Sequence, residues 1–115
     1  MNDTLVVYFS GKDAKTSATA DAARNLASVT GADLHEIKLQ NPYSADFATL
    51  VKEAQMDKDA DARPALAGPA IDLTPYRTVI LGFPNWCGTA PMPVFSFMDE
   101  HMKDGSLIGK RIIPF

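Results

Sequence analysis

Two short apolar runs constrain the fold of this chain more than any other feature. Residues 5–9 end at Ser10 and Gly11, and residues 78–83 end at Pro84. Short runs rich in valine, isoleucine and aromatic side chains that stop at a loop signal are typical of strands buried on both faces. Strands of this kind occur in parallel sheets whose two faces are covered by helices. The two runs therefore predict an α/β fold.

Three segments carry the composition and spacing of helices. The first is Ala-rich, covers about residues 16–29 and stops before Gly31. The second ends at about residue 56, and the third covers residues 93–103 and stops before Gly105. Glycine is the residue most often found just past a helix C-terminus, so both glycines are predicted stop positions.

Polar caps and apolar stripes support these helices. Candidate N-caps are Thr16 or Ser17 for the first helix and Ser44 or Asp46 for the second. Apolar residues at helical spacing predict one core-facing side in each of the last two helices. The predicted core positions are Phe47, Leu50, Val51 and Ala54 in the second helix and Val94, Phe95, Phe97, Met98 and Met102 in the third.

Two more strands complete a regular alternation. Residues 32–38 alternate polar and apolar side chains, which predicts a strand nearer the sheet edge, and residues 110–115 begin a fourth strand. Residues 57–75 show no sustained period and are predicted to be a connection. The order β-α-β-α-β-α-β requires right-handed crossovers. We therefore expect residues 1–115 to form one doubly wound, three-layer α/β/α domain.

Composition excludes several classes of protein. With 46% hydrophobic and 22% charged residues, the 115-residue chain can fill one core. A net charge of −3 and scattered basic residues argue against a nucleic-acid partner. No apolar run reaches membrane-spanning length and no secretory signal pattern is present. We therefore expect a cytoplasmic protein without a membrane partner.

Cysteine and histidine usage gives no metal or disulfide signature. Cys87 is the only cysteine, so no internal disulfide can form. No Cys/His cluster has zinc-site spacing, and His35 and His101 are isolated in sequence. We interpret both histidines as surface or structural residues, and Cys87 as a small buried side chain rather than a catalytic thiol.

The loop after the first strand is rich in hydroxyl groups. Ser10, Thr16, Ser17 and Thr19 lie where the first helix begins. A helix N-terminus offers unpaired N–H donors and a partial positive charge, so these residues could hold a phosphate monoester without arginine. Serine and threonine at a helix start are also ordinary caps. The segment lacks the glycine spacing of a P-loop or a dinucleotide-binding fingerprint.

The loop after the third strand carries an aromatic platform. Residues 84–93 contain three prolines that stiffen the backbone, Gly88 for close approach, and Trp86 with a large flat face. This pattern suits a planar ring, although a Trp that caps the core is an equally simple interpretation. Carboxyl ends of parallel strands share one edge of a sheet, so both loops are predicted to meet in one crevice. A ligand with a phosphate and a flat ring fits them, and flavin mononucleotide (FMN) is such a ligand.

The chain resembles the flavodoxin family, specifically small flavodoxin-like proteins with a P-x-W-W-G-T-A-P segment. The resemblance covers nearly the whole chain. It rests on residues 5–10, 16–19, 30–34, 42–43, 62–64, 81–86 and 109–115. It implies a sheet of order 2-1-3-4, FMN as cofactor, and a role in electron transfer or flavin-dependent reduction. Whether the protein is an enzyme or an electron carrier stays open, as does the choice between a redox protein partner and a small-molecule acceptor.

The resemblance also assigns the cofactor site. It places the phosphate at the end of the first strand and the start of the first helix, and the flavin ring on the loop after the third strand. The implied phosphate residues are Ser10, Thr16, Ser17, Ala18 and Thr19, and the implied ring residues are Pro84, Asn85, Trp86, Cys87 and Gly88.

Three departures from the family pattern bear on this assignment. Residues 11–15 lengthen the phosphate loop, and Ser17 and Ala18 replace a glycine and an asparagine of that loop. Cys87 stands where the family usually has a second tryptophan. The chain stops at Phe115, where the family continues into a fifth strand and a last helix, so we expect an uncovered sheet edge that favours self-association.

A non-enzymatic α/β module is the alternative to a flavin protein. A response-regulator receiver has the same strand order, but it needs an acidic pair after the first strand and an aspartate after the third. This chain has Ser10 and Gly11 at the first place and Pro84 and Asn85 at the second. A flavodoxin-like domain that has lost its flavin and serves as a binding or structural unit remains the competing hypothesis.

Overall fold

A computed structural model of the protein describes residues 3–10, 18–44, 46–68, 71–84, 90–103 and 105–115. The elements are β1 (Thr4–Tyr8), α1 (Ala18–Thr30), β2 (Asp33–Glu36), α2 (Phe47–Asp59), β3 (Thr78–Gly82), α3 (Met92–Lys103) and β4 (Arg111–Pro114).

The four strands form one parallel sheet in the order β2-β1-β3-β4. The predicted doubly wound sheet and its order 2-1-3-4 are therefore confirmed. Tyr8 at the end of β1 pairs with Gly82 of β3 on one side and with Glu36 of β2 on the other. The pairing continues one residue further, because the Phe9 N–H donates to the Gly82 carbonyl at 3.0 Å.

Alternate residues of the central strands pack into two separate layers. Val6 and Tyr8 face α1, where they contact Ala20 and Ala23. On the other face, a larger apolar cluster joins the sheet to α3, and α2 contacts α3 on that side. Its buried members are Leu5, Val7, Phe9, Ile37, Leu39, Leu73, Val79, Leu81, Val94 and Phe97. Burial on both faces explains why β1 is a continuous apolar run rather than an alternating one.

Small side chains let α1 lie close to the sheet. Ala20 and Ala23 are fully buried against β1. Alanine has the highest helix propensity, so the Ala-rich segment favours a helix and close packing at once. The helix ends at Thr30, and Gly31 follows it with a φ of +72°, as expected for the predicted stop position. The predicted caps Thr16 and Ser17 lie outside the described residues.

An aspartate begins α2. The Asp46 carboxylate accepts a hydrogen bond from the Thr49 N–H at 3.0 Å. Of the two predicted candidates, Asp46 is therefore the N-cap. Ser44 instead accepts from the Asp46 N–H at 3.1 Å. Leu50 and Ala54 are buried as predicted, whereas the prediction for Val51 was wrong because its side chain is 45% exposed. The Phe47 side chain is not among those described.

The apolar face of α3 covers the sheet along most of its length. Val94 and Phe97 are buried, and Phe95 and Met98 are half-buried. Met102 was wrongly predicted as a core residue, since it is 65% exposed in the last turn of the helix. Gly105 follows the helix with a φ of +75°, and its N–H donates to the Met102 carbonyl at 3.3 Å.

The connection between α2 and β3 contains a short antiparallel bridge that the sequence did not predict. Leu39, which follows β2, pairs with Leu66. The Gln40 N–H donates to the Ala65 carbonyl at 3.1 Å, and the Ala67 N–H donates to the Lys38 carbonyl at 2.7 Å. The bridge satisfies backbone groups of a segment that has no helix or strand period of its own.

The end of β4 is held against the end of β3. The Phe115 N–H donates to the Leu81 carbonyl at 2.9 Å, and the Phe115 carbonyl accepts from the Phe83 N–H at 3.4 Å. The Phe115 ring lies directly over Gly82. A Cβ atom at residue 82 would be 2.6 Å from Cε1 and 2.7 Å from Cε2 of this ring. Only glycine therefore leaves room for the ring in this position.

We predict that Gly82→Ala destabilises the protein through Phe115. Alanine is more favourable than glycine inside a strand. Its methyl group would, however, displace the Phe115 ring, which is 38% exposed and can move outward. The expected net loss in unfolding free energy is about 1 kcal/mol, at the lower end of overpacking effects. Urea denaturation would measure it. In a Phe115→Ala background the same substitution should cause no loss, and an equal loss in both backgrounds would contradict the proposed clash.

A cavity of about 20 Å³ lies between β2 and α3, large enough for about one water molecule. His35 and His101 both line it. His101 is only 1% exposed, with Nδ1 2.8 Å from the Ser106 hydroxyl and its ring centroid 4.6 Å from that of Phe97. The structural interpretation of His101 therefore fits its position. Burial and the nearby His101 lower the pKa of His35.

His35 should make stability depend on pH. Because the pKa of His35 is lower in the folded state, folding favours neutral His35, and stability should fall as the pH drops below about 6.5, the unfolded value. Glu36 and Glu100 weaken this effect, while Lys38 and His101 strengthen it. Thermal midpoints of the wild type and of His35→Gln between pH 5 and 8 would show a gap that changes with pH. A constant gap would refute the assignment.

Candidate functional site

Two chain segments leave neighbouring strands at the same edge of the sheet. Ser10 follows β1 and is only 5% exposed, and Pro84 follows β3 and is half-buried. Since β1 and β3 are paired in parallel up to Tyr8 and Gly82, both segments depart from their carboxyl ends. Crevices at this edge, beside a reversal of strand order, are the usual ligand sites of open α/β sheets.

The described residues include only part of the predicted site. Ser10 and Pro84 lie at the sheet edge, and Ala18 and Thr19 form the first turn of α1, exposed and half-buried respectively. The predicted site residues Thr16, Ser17, Asn85, Trp86, Cys87 and Gly88 lie outside the described residues.

The described ends of the loop between β3 and α3, residues 84–91 (the ring loop), are anchored in the core. Phe83 and Ala90 pack against the apolar cluster beneath α3, and Pro91 and Met92 are buried. The Val94 N–H donates to the Pro91 carbonyl at 3.0 Å, which starts α3 immediately after the loop. The position of α3 therefore determines where the second end of the loop lies.

Asp21 and Arg24 form an ion pair near the start of α1. Asp21 lies in the first turn, where a carboxylate interacts favourably with the helix dipole but would repel a bound phosphate. Arg24 offsets that repulsion, since its Nη2 lies 2.5 Å from Asp21 Oδ1. The first-turn N–H groups of any helix lack intrahelical acceptors. The ion pair therefore offsets the negative charge of Asp21 at this end of α1.

Tyr8 connects three elements just below this edge. Its side chain is buried against α1, and its hydroxyl is influenced by the charges of Glu36 on β2 and Arg24 on α1. Burial and the charge of Glu36 raise the pKa of Tyr8, while Arg24 acts in the opposite direction. No sequence pattern predicts this cluster. The register of Tyr8 opposite Glu36 would have indicated it, but register becomes known only once the strands are paired.

The described residues of the predicted site and its borders carry hydroxyl or apolar side chains. Ser10 and Thr19 have hydroxyl groups, and Phe83, Pro84 and Ala90 are apolar. Among the residues whose positions are described, no group of three His, Cys, Asp or Glu side chains could hold a metal ion.

Within the described part of the chain, none of the helices has the length and apolar character needed to span a bilayer.

Comparison with known proteins identifies the family. The sequence pattern of flavodoxins matches residues 3–115. The chain belongs to the flavodoxin family. The resemblance noted in the sequence is thereby confirmed, and the sheet of order β2-β1-β3-β4 is a flavodoxin-like fold. No match was found among curated proteins.

Three solved structures share this flavodoxin-like fold. A proposed flavoprotein from Bacteroides eggerthii is 31% identical, with a TM-score of 0.82 over 98% of this chain and 69% of its own. One from Bacteroides uniformis is 32% identical, with a TM-score of 0.78 over 99% of this chain and 70% of its own. A Lactobacillus acidophilus flavoprotein in complex with FMN is 18% identical, with a TM-score of 0.77 over 99% of this chain and 91% of its own.

We predict that Tyr8→Phe destabilises the protein more than Tyr76→Phe does. Both hydroxyls have a carboxylate neighbour, but Tyr8 is buried, whereas Tyr76 is half-buried and donates to Asp33 Oδ2 at 2.7 Å. A polar interaction of a buried hydroxyl contributes about 1 kcal/mol, and a solvent-exposed one contributes less. Urea unfolding of both variants would measure the difference. Equal losses would show that the Tyr8 hydroxyl makes no special contribution.

Proposed function

We propose that this protein binds FMN at the carboxyl edge of β1 and β3 and serves electron transfer or flavin-dependent reduction. The observation that carries the proposal is the departure of Ser10 and Pro84 from two paired parallel strands in a member of the flavodoxin family. The FMN complex of the Lactobacillus acidophilus flavoprotein, which has the same fold, supports this choice of cofactor.

The phosphate of the cofactor would bind at the start of α1. Ser10, Thr16, Ser17 and Thr19 would donate from hydroxyl groups, and backbone N–H groups at Ala18 and its neighbours would add to them. The Asp21–Arg24 ion pair supports this assignment, because it offsets a carboxylate in the first turn of that helix. No arginine is required as a direct phosphate ligand.

The flavin ring would bind against residues 84–88. Trp86 would stack on the ring, and the backbone N–H groups of Asn85, Trp86, Cys87 and Gly88 would donate to its polar edge. When bound, FMN supplies one-electron or hydride transfer. The chain's net charge of −3 would disfavour added negative charge on the cofactor and so lower its reduction potential. None of these roles requires a side chain that donates or accepts a proton.

The partners of this reaction are a second part of the proposal. We infer either a redox protein or a small-molecule acceptor, because a flavin exposed at a sheet edge is accessible to both.

Self-association through the face of β4 stays a prediction. Ile113 and Phe115 on that strand and its extension are partly exposed, which supports it.

Titration with FMN tests the proposed function. Purified protein added to FMN should quench flavin fluorescence and shift the visible absorption band with 1:1 stoichiometry. A spectrum unchanged at a large excess of protein would contradict FMN binding by this chain and favour the alternative, a binding or structural module without flavin.

Substitution of Trp86 tests the ring site. Removal of a stacked aromatic side chain costs about 1–3 kcal/mol in systems where bases stack on aromatic residues, so Trp86→Ala should weaken FMN binding by about tenfold or more. Trp86→Phe keeps a flat ring and is the matched control, with a smaller loss expected. If Trp86→Ala bound FMN as well as the wild type, stacking on Trp86 would be ruled out.

A further inference from the structure

The end of α2 is a tight turn with an aspartate in an unfavourable backbone conformation. After the C-cap Ala60, the Asp61 N–H donates to the Lys58 carbonyl at 3.1 Å and the Ala62 N–H donates to the Asp57 carbonyl at 2.9 Å. These are the two bonds of a Schellman motif. Asp61 has a φ of +50°, in the left-handed region that usually holds glycine. Additional contacts are therefore expected to stabilise this turn.

Arg63 supplies those contacts. Its Nη1 donates to Asp61 Oδ1 at 2.8 Å, to the Asp61 carbonyl at 3.1 Å and to the Ala62 carbonyl at 3.1 Å. One guanidinium nitrogen thus binds both the side chain and the backbone of the left-handed residue. A lysine has no planar fork and cannot reproduce these bonds together with the contacts that the rest of the guanidinium makes.

The other side of the same guanidinium binds α3. Arg63 Nε donates to Asp99 Oδ2 at 2.7 Å, and Arg63 Cζ lies 5.2 Å from the centre of the Phe95 ring. Phe95 and Asp99 lie one turn apart in the first two turns of α3. A single side chain therefore links the turn after α2 to the half of α3 that follows the ring loop.

We propose that Arg63 is a positioning residue for the ring loop, residues 84–91. Arg63 holds the first two turns of α3 in place, and the second end of this loop continues directly into that helix at Met92. The proposal rests on the proposed function, because it concerns the segment assigned to the flavin ring. Arg63 itself is not assigned a contact with the cofactor.

An isolated exposed ion pair would give Arg63 little importance, since such pairs add little to stability. Arg63 differs from an isolated pair because it combines two carboxylates, two backbone carbonyls and an aromatic ring. Together these contacts connect the turn after α2 to α3 through both polar and aromatic groups.

Trp86 provides a readout that does not depend on flavin. It is the only tryptophan of the chain and lies within the ring loop, so its emission and its quenching by acrylamide report on that loop alone. In flavin-free protein, Arg63→Ala should shift Trp86 emission and increase acrylamide quenching. In the presence of FMN, it should weaken binding by about threefold to tenfold, as expected for the loss of a few exposed polar and cation–π contacts.

Matched variants separate positioning from general stability. Arg77→Ala removes an exposed arginine next to β3, at the opposite edge of the sheet, and should leave both readouts unchanged. Arg63→Lys should restore only part of the wild-type behaviour, because lysine lacks the planar fork. Asp99→Asn removes one contact with little change of shape, and it provides the test if Arg63→Ala fails to fold.

The outcomes are distinguishable. A changed Trp86 signal together with weaker FMN binding supports the positioning role. A lower thermal midpoint with unchanged Trp86 quenching and unchanged FMN affinity assigns Arg63 a purely structural role and overturns the proposal. If the wild type binds FMN, a variant with a changed Trp86 signal but an unchanged FMN affinity would overturn it as well. If the wild type binds no FMN, the proposed function fails, and Trp86 quenching alone decides whether Arg63 positions the loop.

Discussion

The pairing of β1 with β3 is the interaction on which the rest of the structure depends. These strands are neighbours in space but are separated in sequence by α1, β2 and α2, so their pairing fixes the doubly wound topology. Their alternating side chains build both apolar layers, one with α1 and the other with α3. The same pairing brings Ser10 and Pro84 to one edge. Fold stability and the geometry of the candidate site therefore have a common origin.

Much of the fold could be predicted because burial on two faces leaves a strong sequence pattern. Residues 5–9 and 78–83 have few other stable arrangements than central parallel strands, and Gly31 and Gly105 mark helix ends through their backbone freedom. The errors at Val51 and Met102 have a single cause. Helical spacing shows which side of a helix is apolar, but it does not show how far along the helix the neighbouring layer extends.

The strand ends that bound the candidate site could be predicted from the sequence, but the contacts between separate elements could not. Strand ends and a helix start are local properties of the sequence, whereas the Tyr8 cluster and the Arg63 contacts join residues from separate elements. Arg63 and Asp99 are 36 residues apart. No local period connects such residues, so they become visible only after the chain has folded.

The ring of Phe115 over Gly82 has a consequence for the history of this fold. Because the ring occupies the space of a side chain at residue 82, neither position can change freely while the other stays the same. Relatives with a larger residue at the end of β3 are expected to carry a smaller or differently directed residue at the end of β4. The two positions should therefore covary across the family, although they belong to strands that are far apart in sequence.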